Sequence, residues 1–477
     1  MERSVVLAVY PDAALDRLTD RQLGESLDYV GPDVVLVERP YRRTRFPGGV
    51  ATVALGGRDA GPVTDPPGPQ VAVARTPDDL AALREHERRG SLDADAETFV
   101  LSDLLSVDVD LVALETSLDG REAYERALSA ADLEGAYTHL TTTAAPGYRN
   151  DWGGLVVQGV RPGADETGAS PGAAVAALSL HADGTVAADT YDPGRFGLEG
   201  LAGVGPTRAA TLRHAGYASK SDVAAASVDD LRTLDGIGAA TARRVRYAAR
   251  ARVDGRVYRT SSARLPGNDP VFVDVETDGL SPTMLWLIGV YDTRTDAYRS
   301  FLATDPDDRG AAVRAFASWY AENATDRPVV AYNGERFDFP HLTEHIDRYA
   351  PTHADAWRDA WTFDLRWWAR TEDNAVLPGV TNALDDVASA LGWDGDDTGL
   401  SGAVVGQRFR RWLADPRDGT ELDWERHEAY CEGDVRALAC VYDAVRDAEH
   451  VAGVAAGGGP TDTEPTETAQ GTLGDFS

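Results

Sequence analysis

Residues 271–280 read VFVDVETDGL, an apolar run in which two acids, Asp274 and Glu276, stand two positions apart. Successive side chains of a β-strand point to opposite faces, so this spacing places both carboxylates on one face. Residues 286–291 form a second apolar run, as expected of an antiparallel neighbour strand, and residues 311–324 have the pattern of an amphipathic helix. The sequence therefore predicts a mixed sheet with flanking helices that presents two carboxylates at one place.

Two later segments add a third and a fourth acid. Residues 328–334 read PVVAYNG, a strand followed by a turn, and the next helix opens with Asp338. A long helical stretch from Asp423 to about His450 contains Tyr430 and Asp434, which are four residues apart and so share one face of the helix. A phenol and a carboxylate are thus expected to project together.

These three segments, in this order, resemble the tyrosine variant of the DEDD exonuclease family, whose motifs are DxE, NGxxFDxPxL and YxxxD. With the stretch NALDDVA at 382–388, the region 274–438 resembles more closely the YprB-type RNase H-like domain. The resemblance implies a 3′→5′ exonuclease whose four acids hold two divalent cations, Mg²⁺ or Mn²⁺, and whose tyrosine orients the attacking water. On this chain the acids are Asp274, Glu276, Asp338 and Asp434, and the tyrosine is Tyr430.

The chemistry makes the same demand independently of the resemblance. Hydrolysis of a phosphodiester needs a hydroxide at neutral pH and charge neutralisation at the attacking and leaving oxygens, which two divalent cations provide. Such hard cations prefer oxygen ligands. Cys431, inside the third motif, is interpreted as a buried packing residue, since no partner histidine for a nucleophile is evident.

Residues 197–255 have a different, glycine-punctuated helical texture, with LAGVGP at 201–206 and LDGIGA at 234–239. The pair resembles the helix-hairpin-helix family, whose glycines let backbone amides at a helix N-terminus approach a phosphate. Such a tandem would grip the DNA backbone without reading its sequence. The plainer interpretation is that each GxG only joins two helices. The hairpin glycines are Gly203, Gly205, Gly236 and Gly238.

Arginines follow the second hairpin on one helical stretch, and they form a locally basic face. Arg243 and Arg244 are predicted to contact DNA. The alternative, held equally open, is a solvated helix face. The other arginines of this stretch are Arg246 and Arg250.

From Met1 to about Asp192 short β-branched runs alternate with helical patterns, which predicts an α/β domain of unknown role. The runs are 5–10, 34–37, 50–55, 71–74 and 111–115, and the helices are 76–89 and 121–131. Two later runs, 174–180 and 185–191, flank Asp183-Gly184, a dipeptide suited to a tight hairpin turn.

The composition is acidic, with 78 Asp and Glu against 46 Lys and Arg, a net charge of −32 and Lys220 as the single lysine. Net negative charge normally opposes binding to nucleic acid. Acid enrichment spread along the chain with lysine depletion instead indicates a halophilic protein, because molar salt shortens the Debye length to roughly 3 Å. Two cysteines, no signal-peptide pattern and no apolar run long enough to span a bilayer predict a cytoplasmic protein without a membrane partner.

The last residues, QGTLGDFS, resemble the peptide by which replication proteins dock on the sliding clamp, a pattern of Gln, aliphatic and two aromatic residues. Gln470, Leu473 and Phe476 fit, and Ser477 stands where a second aromatic is expected. The predicted domains are 1–195 (α/β), 196–256 (tandem helix-hairpin-helix), 266–450 (RNase H-like exonuclease) and 451–477 (a disordered tail with a possible clamp-binding peptide).

The favoured function is a DNA exonuclease of repair or replication. The alternatives are an exoribonuclease, since the same fold trims RNA, and a non-catalytic DNA-binding adaptor with a degenerate nuclease fold. The adaptor predicts the loss of at least one motif residue, and all five are present. An independent activity of the N-terminal domain is a third alternative.

Overall fold

The computed structural model describes residues 4–110, 115–162, 173–267, 269–395, 398–416 and 422–451. The chain divides into two compact units, one that ends at Phe196 and one that begins at Gly197. Among these residues, no helix combines the length and the apolar content that crossing a membrane requires. The fold class expected from the sequence, α/β units with an all-α segment between residues 197 and 255, is confirmed.

The first unit alternates strands and helices. Its strands are β1 Val5–Tyr10, β2 Val34–Val37, β3 Ala51–Ala54, β4 Gly61–Pro62, β5 Gln70–Val73, β6 Thr98–Leu101, β7 Ser106–Asp110, β8 Glu115–Asp119, β9 Tyr137–Thr141, β10 Arg149–Asp151, β11 Val156–Gly159, β12 Val175–Leu180 and β13 Val186–Tyr191. Its helices are α1 Asp12–Arg17, α2 Asp20–Val30, α3 Pro77–Arg88 and α4 Arg121–Ala131, with 3₁₀ turns at Pro40–Arg45 and Pro193–Phe196.

Two sheets enclose the core of this unit, with strand orders β13-β12-β1-β2-β3 and β10-β11-β9-β6-β5-β4. Both sheets contribute apolar side chains, such as Leu36 and Phe99, to one buried cluster. The predicted hairpin is confirmed, with Gly184 at a φ of +77° in its turn. The sequence did not predict β6, β9 or β11, and residues 111–114 of a predicted run lie outside the described residues.

The second unit starts with a 3₁₀ turn and four helices that pack around a small apolar core. The turn is Leu198–Gly200, and the helices are α5 Pro206–His214, α6 Lys220–Ala225, α7 Val228–Leu231 and α8 Ala239–Asp254. Val204 and Ile237, the apolar residues between the two glycines of each LxGxG segment, are both buried in this core. The repeat in the sequence is therefore a repeat in packing.

The remaining chain contains the strands β14 Tyr258–Arg259, β15 Val271–Thr277, β16 Leu285–Asp292, β17 Ala297–Leu302, β18 Pro328–Ala331, β19 Trp361–Asp364, β20 Ala375–Val376 and β21 Glu449–His450. Five of them form a central sheet in the order β17-β16-β15-β18-β19, and the other three form a small sheet in the order β20-β14-β21. The helices are α9 Ala311–Asn323, α10 Asp338–Tyr349, α11 Ala354–Arg358, α12 Leu384–Ala390, α13 Gly402–Ala414 and α14 Trp424–Arg446, with a 3₁₀ turn at Pro351–His353 and a π-helical turn at Trp367–Thr371.

Strand β15 lies in the middle of the central sheet, antiparallel to β16 and parallel to β18, which is in turn parallel to β19. Its side chains alternate between the two faces of the sheet. Phe272, on the same face as Asp274 and Glu276, contacts Tyr442 of α14. The acids of β15 therefore point to the face on which α14 packs.

Candidate active site

The first two predicted acids are brought together by β15. Glu276 is buried and Asp274 is half-buried. The register pairs Asp274 with Gly289 of β16, and a bulge between Glu276 and Thr277 interrupts the ladder just beyond the two acids. Bulges often re-aim side chains next to functional sites.

The third acid lies at the start of α10, after a tight turn that follows β18. Asn333 adopts a left-handed conformation with a φ of +71°. At Gly334 an added Cβ would lie only 2.7 Å from both the Ala331 Cβ and the Phe339 ring. The turn therefore needs glycine to fold closely against the sheet, and the result is a buried Asp338 as the first residue of the helix.

Helix α14 supplies Tyr430 and Asp434, whose side chains are hydrogen-bonded to each other. The helix packs closely on the sheet because Gly289 of β16 has no side chain, since a Cβ there would overlap the sulfur of Cys431. The predicted pairing of phenol and carboxylate on one face of the helix agrees with this geometry.

The four acids lie near one another, because Asp274, Glu276 and Asp434 each have a pKa that is raised by the charge of at least one other of the four. Burial and then the charge of Asp338 raise the pKa of Asp274 to about 7. Burial also raises the pKa of Asp338 to about 7. The pKa of Glu276 is raised well above its usual value by burial and then by the charges of Asp274, Asp434 and Asp338. For Asp434, burial and then the charge of Asp274 raise the pKa in the same direction.

Such a cluster is costly unless protons or cations neutralise it. Among the residues that the structure describes, no arginine or lysine side chain lowers the pKa of any of the four carboxyl groups. The four carboxyl groups offer oxygen ligands and repel one another, which suits a hard divalent cation.

Cys431 is buried, as predicted, and it also contacts the acids. One ligand atom from each of Asp274, Glu276 and Cys431 lies within 4.8 Å of the other two. Burial raises the pKa of the Cys431 thiol well above its usual value, and the thiol donates to Asp274 Oδ2 at 3.5 Å. The thiol therefore acts as a hydrogen-bond donor to a carboxylate that can bind a cation.

The two hairpins between the helices of residues 197–255 have the same local geometry. Gly203 and Gly236 adopt left-handed conformations, with φ of +85° and +73°. Gly205 and Gly238, both exposed, are the N-caps of α5 and α8, and neither helix has a side-chain cap. Arg208 joins the hairpins, because it donates to the carbonyl oxygens of Gly203 at 2.8 Å and of Gly236 at 3.3 Å.

Comparison with known families agrees with both geometries. Residues 271–446 match the model RNase_H_2, described as RNase_H superfamily. This region is an RNase H superfamily domain. Residues 197–251 match a model described as a SAM-like helix-hairpin-helix tandem. No curated protein matches the chain significantly.

An RNase H superfamily domain preceded by a tandem helix-hairpin-helix domain indicates a nuclease that processes nucleic acid. A possible acidic metal-binding group lies in the RNase H superfamily domain. The roles of the individual site residues stay predictions, as does the clamp-binding peptide Gln470, Leu473 and Phe476, which lies outside the described residues.

Arginines of the predicted basic face of α8 make contacts within the protein. Arg244 forms an ion pair with Asp373 of the RNase H superfamily domain. Arg246 donates to the carbonyl oxygen of Ala226, and Arg250 pairs with Asp254 within α8. A contact between Arg244 and DNA would therefore compete with an existing ion pair.

The sequence did not single out Asp364, the buried last residue of β19. Its carboxylate accepts three backbone N–H groups, from Asn333 and Glu335 at 3.1 Å and from Trp367 at 2.9 Å. It also adds a charge that raises the pKa of Asp338. Asp364 thus holds the turn that presents Asp338, and a single acid at the end of a four-residue strand gives no local signal of this role.

Proposed function

We propose that the RNase H superfamily domain is a DEDDy-type exonuclease that hydrolyses phosphodiester bonds of DNA in the 3′→5′ direction, in repair or replication. The observation that carries the proposal is the cluster of four acids with raised pKa values beside a tyrosine that is hydrogen-bonded to one of them. A merely structural cluster of buried acids would need partners that compensate its charge, as Glu87 has in Arg84 and Tyr137.

The acids fit a pair of divalent cations. Asp274, Glu276, Asp338 and Asp434 would hold two Mg²⁺ or Mn²⁺ ions, which when bound supply a hydroxide at neutral pH and neutralise charge at the reacting phosphate. Asp274 and Asp434 are half-buried, so each keeps some exposure to solvent. Cys431, a protonated thiol, orients Asp274 by hydrogen bonding.

Tyr430 acts as a fixed hydrogen-bonding group. Burial and then the charges of Asp434 and Glu276 raise its pKa well above the usual value, so the phenol keeps its proton at neutral pH. Held by Asp434, the phenol orients the attacking water. A proton-transfer role would instead require a pKa near the working pH.

The two hairpins support DNA as the substrate. The uncapped helix N-termini at Gly205 and Gly238 present backbone N–H groups on an exposed surface, which suits a phosphate of either strand without regard to sequence. Gly203 and Gly236 shape the turns. Arg243 would add a phosphate contact, as would Arg244 once it is released from Asp373.

The domain bounds, the cellular location and a clamp partner are also proposed, on the basis of the sequence. The domains are 1–195, 196–256, 266–450 and 451–477. The protein works in the cytoplasm of a halophilic organism, and Gln470, Leu473 and Phe476 dock on a sliding clamp. An exoribonuclease is the alternative that the same active site would serve.

The test uses end-labelled single-stranded DNA and RNA of equal sequence, incubated in molar KCl with Mg²⁺ or Mn²⁺. The full-length wild type is compared with Asp274→Asn and with Asp355→Asn, a matched change at a side chain that is 97% exposed on α11. We expect stepwise shortening of DNA by the wild type and by Asp355→Asn, and none by Asp274→Asn. Faster shortening of RNA would establish the exoribonuclease, and retention of DNA without cleavage under every metal would favour the adaptor.

A further inference from the structure

The three parallel strands of the RNase H superfamily domain end at the same edge of the sheet. Strand β15 carries Asp274 and Glu276 toward this edge, and the turn after β18 leads to Asp338. The segment after β19, the next parallel strand, begins at Leu365 and continues into the π-helical turn Trp367–Thr371. Ligands of open α/β sheets bind outside the carboxyl ends of the strands, and short π-helical segments are frequent at functional sites.

Trp367 lies at this edge and is 37% exposed. Its backbone N–H and that of Glu335 donate to the same Asp364 carboxylate. The tryptophan is therefore tied to the turn that presents Asp338. Part of its indole ring is accessible at the edge that carries the acids.

The guanidinium of Arg336 lies over the ring of Trp367, 5.8 Å from its centroid, which is within the range of a cation–π contact. Arg336 is exposed and belongs to the same turn as Glu335. Its side chain makes no ion pair with the acids that the structure describes, although acids outnumber bases by 78 to 46 in the chain. A cation and an aromatic ring are thus presented together next to the carboxylate cluster.

We propose that Arg336 and Trp367 form a stacking platform for an unpaired base of single-stranded nucleic acid whose backbone enters the carboxylate cluster. The proposal rests on the proposed nuclease function and names its substrate class as single-stranded. Aromatic rings and guanidinium planes bind bases of any sequence through their π-faces, and such contacts suit an enzyme that degrades strands of arbitrary sequence. A base inside a duplex has both faces covered by its neighbours and cannot use the platform.

Stacking also suits a chain of this composition. Phosphate contacts weaken steeply as salt rises because counterion release drives them, whereas a stacked base is held mainly by contacts that salt does not screen. The platform therefore predicts that the contribution of Trp367 to binding persists in molar KCl.

Trp361 offers a matched control. It is 47% exposed and is the first residue of β19, the strand that precedes Trp367. It therefore lies at the opposite end of that strand from the acids. Both changes to alanine remove an equally large exposed ring, and only one of them touches the edge that carries the acids.

The experiment measures the binding of a fluorescein-labelled single-stranded deoxyoligonucleotide by full-length protein in molar KCl. Glu276→Gln is present in every sample to prevent cleavage. We expect Trp367→Ala to weaken binding about 5- to 100-fold, Trp361→Ala to stay within about twofold, and Trp367→Phe to recover most of the loss. Arg336→Gln, which leaves the ring in place, is expected to weaken binding less than Trp367→Ala and serves if the latter fails to fold.

The outcomes separate this proposal from the proposed function. Equal binding by Trp367→Ala and Trp361→Ala, in a protein whose wild type shortens DNA, overturns the platform and leaves the nuclease intact. Selective loss in Trp367→Ala without cleavage by the wild type supports the platform and contradicts the nuclease. If the Glu276→Gln protein with both tryptophans intact binds no single-stranded oligonucleotide, both proposals are overturned.

Discussion

The side chains of Glu87 in the first unit and of Glu276 in the RNase H superfamily domain are both largely removed from water, yet their environments are opposite. Burial raises the pKa of Glu87, but hydrogen bonds from Tyr137, Arg84 and two backbone amides outweigh it, and its pKa lies below the usual value. Burial raises the pKa of Glu276, and three neighbouring carboxylates raise it further. The contrast shows that the protein compensates the charge of Glu87 with hydrogen-bond donors and a cation. It does not do so at Glu276.

The number of hydrogen bonds that a carboxylate already accepts distinguishes an acid with a structural role from one that can still bind a cation. Glu87 accepts from Tyr137 Oη at 2.6 Å, from Arg84 at 2.9 Å and from the Gly135 amide at 3.1 Å, so its lone pairs are used. An acid whose oxygens are already bonded has little capacity for a cation. The cluster around Glu276 keeps that capacity, at the cost of mutual repulsion.

The largest expected difference is in the rate of catalysis when the same change, glutamate to glutamine, is made at Glu276 and at Glu87. We expect Glu276→Gln to lower the rate of DNA hydrolysis at least about 10³-fold, because it removes a charged ligand of the cations that stabilise the transition state. Glu87→Gln should leave the rate within about twofold. Initial rates in saturating Mg²⁺ measure both, and similar losses in the two variants would remove the distinction between the two acids.

The effect of pH on stability should show the same contrast without any substrate. The folded-state pKa of Asp274 is raised from 3.8 to about 7, so the native state binds the proton more tightly than the unfolded chain. The stability that this group contributes is therefore present below about pH 4 and is lost as the pH rises toward 7. In metal-free protein we expect a loss of about 1–4 kcal/mol in the second unit over this interval.

Divalent cations should reverse that loss, because they take the place of the protons. Mg²⁺ or Mn²⁺ should stabilise the second unit more at pH 8 than at pH 5, and the first unit should respond to neither. Hydrogen–deuterium exchange of peptides from α14 and from α3 reports each unit separately, which one melting temperature for a chain of two units does not. Equal metal protection at both pH values would contradict the carboxylate cluster as the binding site.

We expect Glu87→Gln to lower the stability of the first unit and not the rate of catalysis. The glutamine keeps the shape but loses the charge that Arg84 and Tyr137 bind, so we expect a cost of about 1–3 kcal/mol in the first unit. Glu276→Gln in metal-free protein at pH 8 should instead leave the second unit equally or more stable, because it removes a repelling charge. Chemical denaturation followed by exchange in α3 and α14 compares the two, and a loss in both variants would show that Glu276 is also structural.

The sequence predicts the cluster better than it predicts the framework around it. Asp274, Glu276, Tyr430 and Asp434 stand in strongly periodic elements, where spacing alone decides which side chains share a face. Their convergence with Asp338 depends on the parallel pairing of β15 with β18, which no local pattern encodes.

The predicted basic face of α8 is a second case in which sequence spacing does not reveal a long-range contact. Arg244 follows a helical pattern that is easily recognised, but its partner Asp373 is 129 positions away in sequence. Asp364 and Trp367 were missed for a related reason, since β19 is four residues long and has no periodicity to identify it. Long-range pairing decides which charged groups are free, and sequence spacing does not report it.

The smallest expected effect is that of changing Cys431. This change tests whether the thiol is a hydrogen-bond donor to Asp274 or is itself a metal ligand. As a donor to Asp274, its thiol is replaceable by a hydroxyl, so Cys431→Ser should lower the Mg²⁺-dependent rate by no more than about tenfold. Cys440→Ser, at the half-buried second cysteine, should change nothing. Rates in Mg²⁺ and in a thiophilic cation such as Cd²⁺ measure both variants. If Cys431→Ser loses as much activity as Glu276→Gln, the sulfur is itself a ligand, because only a metal ligand and not a donor would be needed to that extent.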